Sequence, residues 1–283
     1  MAVRRGESRV SVPPEDGIFA GIDEAEYHAD LGSLSSSGGR QILSSPAKFK
    51  YRQDNPEHST AFDIGSAVHT MVLGEGDEIV RVLAADWRSK EAKAQRDAAY
   101  AEGKIPLLAT DHEAALSMVA AVWNHPTAAA LFAQGDAEQT LLWHDHETGV
   151  RLRARIDWLR PGAHRLIAVD LKTSGVSVNP QEWGSTAAKW KLYFQAAWYL
   201  TALEALGLDE NPAFVFVNAE KEPPHLVSVT QLTEDAIALG RRQMRRAIDV
   251  YAKCVENDEW PGYSPEIHVV DLPRWAYYQE GTA

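Results

Sequence analysis

Two acidic residues and a lysine stand close together in the middle of the chain: Asp157 in R-A-R-I-D-W, and Asp170 with Lys172 in I-A-V-D-L-K-T. Strand residues two apart share a face. Asp170 and Lys172 therefore project together from a strand, while Leu171 turns into the core. Asp157 lies on the preceding run, across a Pro161-Gly162 turn, and can face the same cleft. Two carboxylates can hold Mg²⁺ or Mn²⁺. An ammonium beside them can orient or activate a water, which is the equipment for metal-assisted cleavage of a phosphodiester.

Other residues could join this chemistry. The Leu171 carbonyl offers a further oxygen ligand. His69 sits in an apolar run, G-S-A-V-H-T-M-V-L, with Gly65 one turn earlier to let a backbone or phosphate approach. A core histidine and a ligand are both open readings for it. Gln195 and Tyr199 are four apart, hence on one helix face, from which amide and hydroxyl can reach a phosphate or a base. Arg151, Arg153 and Arg155 alternate along the run that delivers Asp157. All three share the face that Asp157 continues, and phosphate contact and a solvated face both remain open for them.

The elements that must position these groups follow from periodicity. Residues 1–30 show no sustained period and contain Pro13-Pro14, which predicts an extended or partly ordered arm ahead of a single domain over 31–283. Leu34 to Ser37 reads as the cap of a short helix, and Ser45-Pro46 as the start of another. Residues 62–73 predict a buried helix. The charged, Ala-rich stretch 86–104 is either a surface helix or a mobile segment. Residues 110–132 predict a helix broken near Pro126. Short apolar or alternating runs at 140–143, 150–159 and 166–172 predict three strands. A helical period then runs from Pro180 to Leu206, stopped by Gly207. Residues 213–218 and 225–229 predict two more strands, and Thr233 opens a long helix to Glu256. Trp260 to Ala283 is a tail. This order predicts one α/β domain with a central mixed sheet flanked by helices.

Composition narrows the class. The 283 residues carry 45% hydrophobic and 24% charged side chains, and a formal net charge of −12. That acidity argues against a generic nucleic-acid coat, but not against an enzyme with a local groove. The single Cys254 excludes an internal disulfide and a four-cysteine metal centre. No apolar run reaches the roughly 18–20 residues of a membrane span, and the first residues lack a signal peptide's apolar stretch. These features predict a cytoplasmic protein with no membrane partner. No G-x-x-x-x-G-K-[S/T] loop is present, so nothing visible calls for ATP.

Singly these signals are weak. In order, G-x-x-x-H, D, D-x-K and Q-x-x-x-Y form a specific pattern that resembles the PD-(D/E)xK nuclease superfamily. Within it, the chain is most similar to the RecB-like branch and the nuclease domain of RecE-type exonucleases (exonuclease VIII). The resemblance runs from about Leu34 to Trp275. It rests on L-S-S-S-G-G-R-Q-I-L-S-S-P-A-K-F, D-I-G-S-A-V-H-T-M-V-L, A-V-D-L-K-T-S, Y-F-Q-A-A-W-Y and the tail D-E-W-P-G-Y with L-P-R-W-A. It implies a restriction-endonuclease-like core, metal ligands at His69, Asp157, Asp170 and the Leu171 carbonyl, a catalytic Lys172, and site roles for Gln195 and Tyr199. Glu138 matches an acidic position ahead of the hairpin without a defined role.

The activity it implies is Mg²⁺-dependent, with Mn²⁺ able to substitute, and uses two metal ions. The enzyme would degrade one strand of duplex DNA from an end, 5′ to 3′. Implied partners are duplex DNA ends, a single-strand annealing protein of the RecT type, and further copies of the chain in a ring. The implied setting is phage-like recombination in a bacterial cytoplasm, from a phage or prophage gene. A structure-specific endonuclease or nickase, and a dead DNA-end-binding module, are the alternative readings.

Overall fold

The computed structural model describes residues 12–55, 64–273 and 277. The chain begins with β1 (Gly17–Phe19), α1 (Glu24–Ala29) and β2 (Leu34–Ser35). Helix α2 (Ser36–Ser44) is capped by Ser35, and α3 (Pro46–Asp54) by Ser45 with proline in its first turn, as the serine and Ser-Pro spacing predicts. Helix α4 (Ile64–Leu73) carries His69; Phe62 and Asp63, expected at its start, lie outside the described residues. Strands β3 (Ile79–Val82) and β4 (Ile105–Leu108) pair in parallel around α5 (Lys90–Ala101). The 86–104 stretch is thus largely helical. Helices α6 (Ala109–Asn124) and α7 (Pro126–Phe132) are divided before Pro126, as expected.

Three long strands follow: β5 (Asp136–His144), β6 (Arg151–Pro161) and β7 (Leu166–Ser174). The single helix expected over 180–206 is two, α8 (Pro180–Lys189) and α9 (Leu192–Ala205). Lys191 between them adopts a left-handed φ of 52°, which ends the first helix without a glycine or proline to announce it. Strands β8 (Ala213–Glu220) and β9 (Val227–Thr230) precede α10 (Glu234–Asn257), where Thr233 accepts from the Ala236 N–H.

The main sheet runs β1-β5-β6-β7-β8-β9, with β2 added to β6. Strands β7 and β8 are parallel, as are β2 and β6, and the other pairings are antiparallel. The expected mixed sheet flanked by helices is therefore present. On one face α2, α3, α8, α9 and α10 bury a core centred on Trp198, which is fully buried. Its indole N–H donates to the Arg153 carbonyl at 2.9 Å. On the other face α4, α6 and α7 pack on Val169, Leu171, Val215 and Val217. Helix α10 approaches α9 so closely at Gly240 that an added Cβ would fall 2.2 Å from the Tyr193 carbonyl oxygen.

Residues 12–30 lie within the stretch expected to be an extended or partly ordered arm. β1 pairs with β5, and Ile22 and Tyr27 are buried. Residues 1–11 lie outside the described residues. In the tail, Trp260 stacks on Phe49 with ring centroids 5.7 Å apart, which gives the D-E-W-P motif a packing role; Arg274 and Trp275 are not described. Among the described residues, no helix is long and apolar enough to cross a membrane.

Candidate active site

The hairpin of β6 and β7 splays at the point where chemistry was expected. Its described ladder ends at Trp158 opposite Val169, so the next pair would set Asp157 against Asp170. Instead the Asp157 carboxylate fills the gap between the strands. Its Oδ2 accepts the Leu171 N–H at 2.9 Å, satisfying a donor that a regular ladder would have used.

Asp170 is 1% exposed. The Gln195 amide donates to its Oδ1 at 2.7 Å, and the Lys172 ammonium stands 2.6 Å from its Oδ2. As expected for strand alternation, Asp170 and Lys172 project together while Leu171 is buried in the opposite core. Burial pushes the Asp170 carboxyl above the usual range, Lys172 pulls it down, and the Asp157 charge pushes it up. Gln195, whose amide was expected to be able to reach a phosphate or a base, lines the cleft and donates to Asp170. Tyr199, one turn further on the same face, lines the cleft and is nearly buried, which drives its phenol well above its ordinary value.

His69 reaches the same place from α4, with Nδ1 3.6 Å from Asp157 Oδ2. Glu138 reaches it from β5. It falls between the pairs Ala137–Trp158 and Gln139–Ile156, directly opposite Asp157, and its φ of 51° breaks the ladder there. A left-handed non-glycine residue costs on the order of 1–3 kcal/mol, and such strain concentrates at functional sites. Burial, followed by the Asp157 charge, pushes the Glu138 carboxyl up to about 7, against the opposing pull of Arg155, whose Nε lies 2.5 Å from it.

The arginine ladder has a different use from the expected one. Arg151 donates to the Pro13 carbonyl. Arg153 is 8% exposed and donates to the carbonyls of Asp30 and Ser33 and to the Ser33 hydroxyl. Arg155 donates to the Ile22 carbonyl at 2.6 Å and pairs with Glu138. All three fasten the N-terminal segment to the sheet. Of the ladder, only Arg155 lines the cleft. The sequence reading missed another cation there: Arg40 of α2 lines the cleft, and its guanidinium donates to the Trp190 carbonyl at 3.0 Å. Its signal was a single charge in an otherwise uncharged helix.

The cleft holds about 710 Å³. Asp23, Glu24, Glu75, Asp77, Glu138 and Asp157 line it against Arg40, Arg155 and Lys172, so its field favours cations. Among the described residues, no three His, Cys, Asp or Glu side chains form a ready-made metal cage. The donor set nevertheless fits a hard divalent ion: two carboxylates, an imidazole and a backbone carbonyl at one splay. The carboxyls of Asp170 and Glu138 stay above their usual range even with Lys172 and Arg155 beside them, so the further positive charge of such an ion is favoured there.

Comparison with known proteins agrees with this fold. A crystal structure described as a "Putative exonuclease" from Eubacterium rectale superposes with a TM-score of 0.60 at 14% identity, covering 93% of this chain and 99% of that one. A structure of a protein named SSO0001 aligns at 14% identity over 65% of this chain and 85% of its own, at a TM-score of 0.28, too low to speak to the fold. No curated protein matches the sequence. The family model for a PDDEXK-like domain of unknown function (DUF3799) matches residues 35–273. That span takes in the splayed hairpin, His69 and α9, and the chain belongs to this PDDEXK-like family.

Proposed function

We propose that the protein is a divalent-metal-dependent exodeoxyribonuclease that needs no ATP and degrades one strand of duplex DNA from an end. The observation that carries this reading is the splay between β6 and β7. There Asp157, Lys172 and His69 line a single cleft, and the buried Asp170 stands 2.6 Å from the Lys172 ammonium. Exonuclease action is supported by the fold shared with the Eubacterium rectale protein. The polarity of 5′ to 3′, Mg²⁺ as the ion, a ring assembly and supply of single strands to a RecT-type annealing protein rest on the resemblance to RecE-type enzymes.

Asp157, Asp170, His69 and the Leu171 carbonyl would hold the ions. When bound, such ions lower the pKa of a water and stabilise charge at the scissile phosphate. Residues of this chain do the rest. The Leu171 N–H fixes the rotamer of Asp157. Gln195 fixes Asp170 from below, leaving the Lys172 ammonium at the cleft to orient the attacking water and meet developing negative charge. Tyr199 lines the cleft where its hydroxyl can position the backbone. Grip on metal and phosphate requires no base readout, so sequence preference should be slight.

The test is incubation of linear duplexes labelled at either 5′ or 3′ end, and of a covalently closed circle, with Mg²⁺ or with chelator. Shortening of linear DNA alone, only with the ion, is the expected result. Cleavage of the circle would instead make the protein an endonuclease, and no cleavage of any substrate would defeat the nuclease reading.

A further inference from the structure

The cleft is acidic, and all three ladder arginines are bonded to the N-terminal segment. The attraction that brings a polyanion to this site must come from elsewhere on the surface. The break between α8 and α9 supplies a place. Its residues are Lys189, Trp190 and Lys191. Trp190 is 61% exposed, and Lys189 stands 5.7 Å from the centre of its ring. Neither lysine has an ion pair with a described residue, so both charges are free for an incoming anion.

The turn is also held in place. The Trp190 N–H donates to the Thr186 carbonyl at 3.0 Å. Its own carbonyl accepts from Arg40 at 3.0 Å, and Arg40 lines the cleft. Lys191 sits in the left-handed region, a strained conformation that turns the chain before α9 starts. Gln195, five residues beyond Trp190, lines the cleft. The Arg40 bond therefore ties this turn to a residue of the cleft wall.

An exposed indole flanked by two ammonium groups that have no ion pair among the described residues matches what single-stranded nucleic acid requires. A base stacks on the ring, and adjacent phosphates meet the cations, without regard to sequence. We propose that the Lys189–Trp190–Lys191 turn is a stacking platform for an unpaired base at the rim of the cleft, holding a frayed or single-stranded end as the neighbouring phosphodiester is cut. This assignment rests on the nuclease reading above and adds a binding site to it.

The test measures binding in chelator, where no cleavage occurs, using fluorescein-labelled single-stranded, tailed and blunt duplex DNA. Turnover with metal is followed on saturating tailed duplex and on the small diester bis(p-nitrophenyl) phosphate. The Trp190 side chain is exposed and Arg40 bonds only its backbone, so Trp190→Ala should fold; its thermal midpoint verifies this. Trp190→Ala should weaken single-stranded and tailed DNA about tenfold, with blunt duplex affected less. Trp190→Phe should retain most of the affinity. Lys189→Gln and Lys191→Gln should each lower the salt slope by about one. Turnover of saturating DNA and of the small diester should stay at the wild-type rate.

Unchanged single-strand affinity in Trp190→Ala, with the wild type binding and cutting normally, overturns the platform and leaves the nuclease reading intact. Loss of small-diester hydrolysis in Trp190→Ala also overturns it, since the residue would then act through the catalytic residues themselves. A wild type that neither binds nor cuts DNA removes both readings.

Discussion

Arg151, Arg153 and Arg155 occupy one half of β6, and Asp157 the other, all at the two-residue spacing that puts them on a common face. The arginine half meets fixed backbone carbonyls of residues 13–33. The acidic half meets other acids: Glu138 across β5, and Asp170 across the splayed β7. One strand thus joins a region whose charges are bonded to fixed main-chain acceptors to a region where carboxylates crowd one another even with Lys172, Arg155 and His69 beside them. The second is where a cation can gain free energy by binding, because the positive charge nearby does not offset the burial and mutual repulsion of the carboxylates.

The largest effect is expected from Lys172→Ala. Removing a donor aimed at developing charge lowers turnover by roughly a hundred- to a thousandfold, measured on end-labelled duplex at saturating metal. The same change strips Asp170 of its ammonium while leaving it buried. The thermal midpoint in chelator should therefore fall, and added Mg²⁺ should narrow the gap to wild type by supplying the charge. Wild-type turnover in this variant would place the chemistry elsewhere.

Arg153→Met probes the other half. It keeps much of the side-chain volume but leaves the Asp30 and Ser33 carbonyls without their guanidinium. It also leaves the nearly buried Asp30 carboxylate, 3.7 Å from Arg153, without its guanidinium, and breaking one side of a buried charged network costs about 3–5 kcal/mol, seen as a lower urea midpoint. Limited proteolysis should then cut first within residues 12–33. The salt slope of DNA binding should not change. A slope lower by about one would mean that Arg153 contacts phosphate after all.

The contrast between the halves explains what could be read in advance. Alternation located β6 and β7, and the D-x-K spacing correctly paired Asp170 with Lys172, because both depend only on strand geometry. The same spacing grouped the three arginines without revealing their acceptors, since main-chain carbonyls of a distant segment leave no mark in residue type. Short strands escaped for a related reason. β4 is I-P-L-L with every residue buried, so it has no polar phase to alternate with, and β2 spans two residues. The α8–α9 break escaped because the apolar period continues through Lys191, whose backbone departs from the helix with no breaker residue. The strain at Glu138, which sets that carboxyl against Asp157, was likewise invisible: the residue type was noted, and its φ could not be.

Glu138→Gln sharpens the comparison through pH. The carboxyl is held at about 7, against an ordinary value of 4.5. Between those values the folded chain binds a proton that the unfolded chain has released, so wild-type stability falls as pH rises through this window. The glutamine has no proton to lose. In chelator, the variant's thermal midpoint should exceed wild type's at pH 8 and approach it at pH 5. With metal, its turnover should drop by roughly ten- to a hundredfold if the carboxylate assists the neighbouring ligand. Midpoints that keep the same difference across this range would remove the frustration assigned to the acidic half.

Asp145 gives the smallest effect and the opposite sign. It sits just beyond β5, away from the cleft, where Arg245 grips both its oxygens at 2.6 and 3.0 Å and Thr148 donates to one of them. Burial pushes this carboxyl up, but Arg245 and Thr148 outweigh it, and the net shift is below the ordinary 3.8. A depressed carboxyl contributes stability that is fully present above its unfolded value and is lost as pH falls through the lower folded one. A charge-assisted pair of this kind contributes about 1.5–3 kcal/mol. Asp145→Asn should therefore lower the urea midpoint by a constant amount from pH 5 to pH 8, with the difference shrinking only below about 3.8. Wild-type stability would then rise with pH around Asp145 and fall with pH around Glu138. Parallel slopes at the two carboxyls would mean that the structural and catalytic acids of this fold are not held differently.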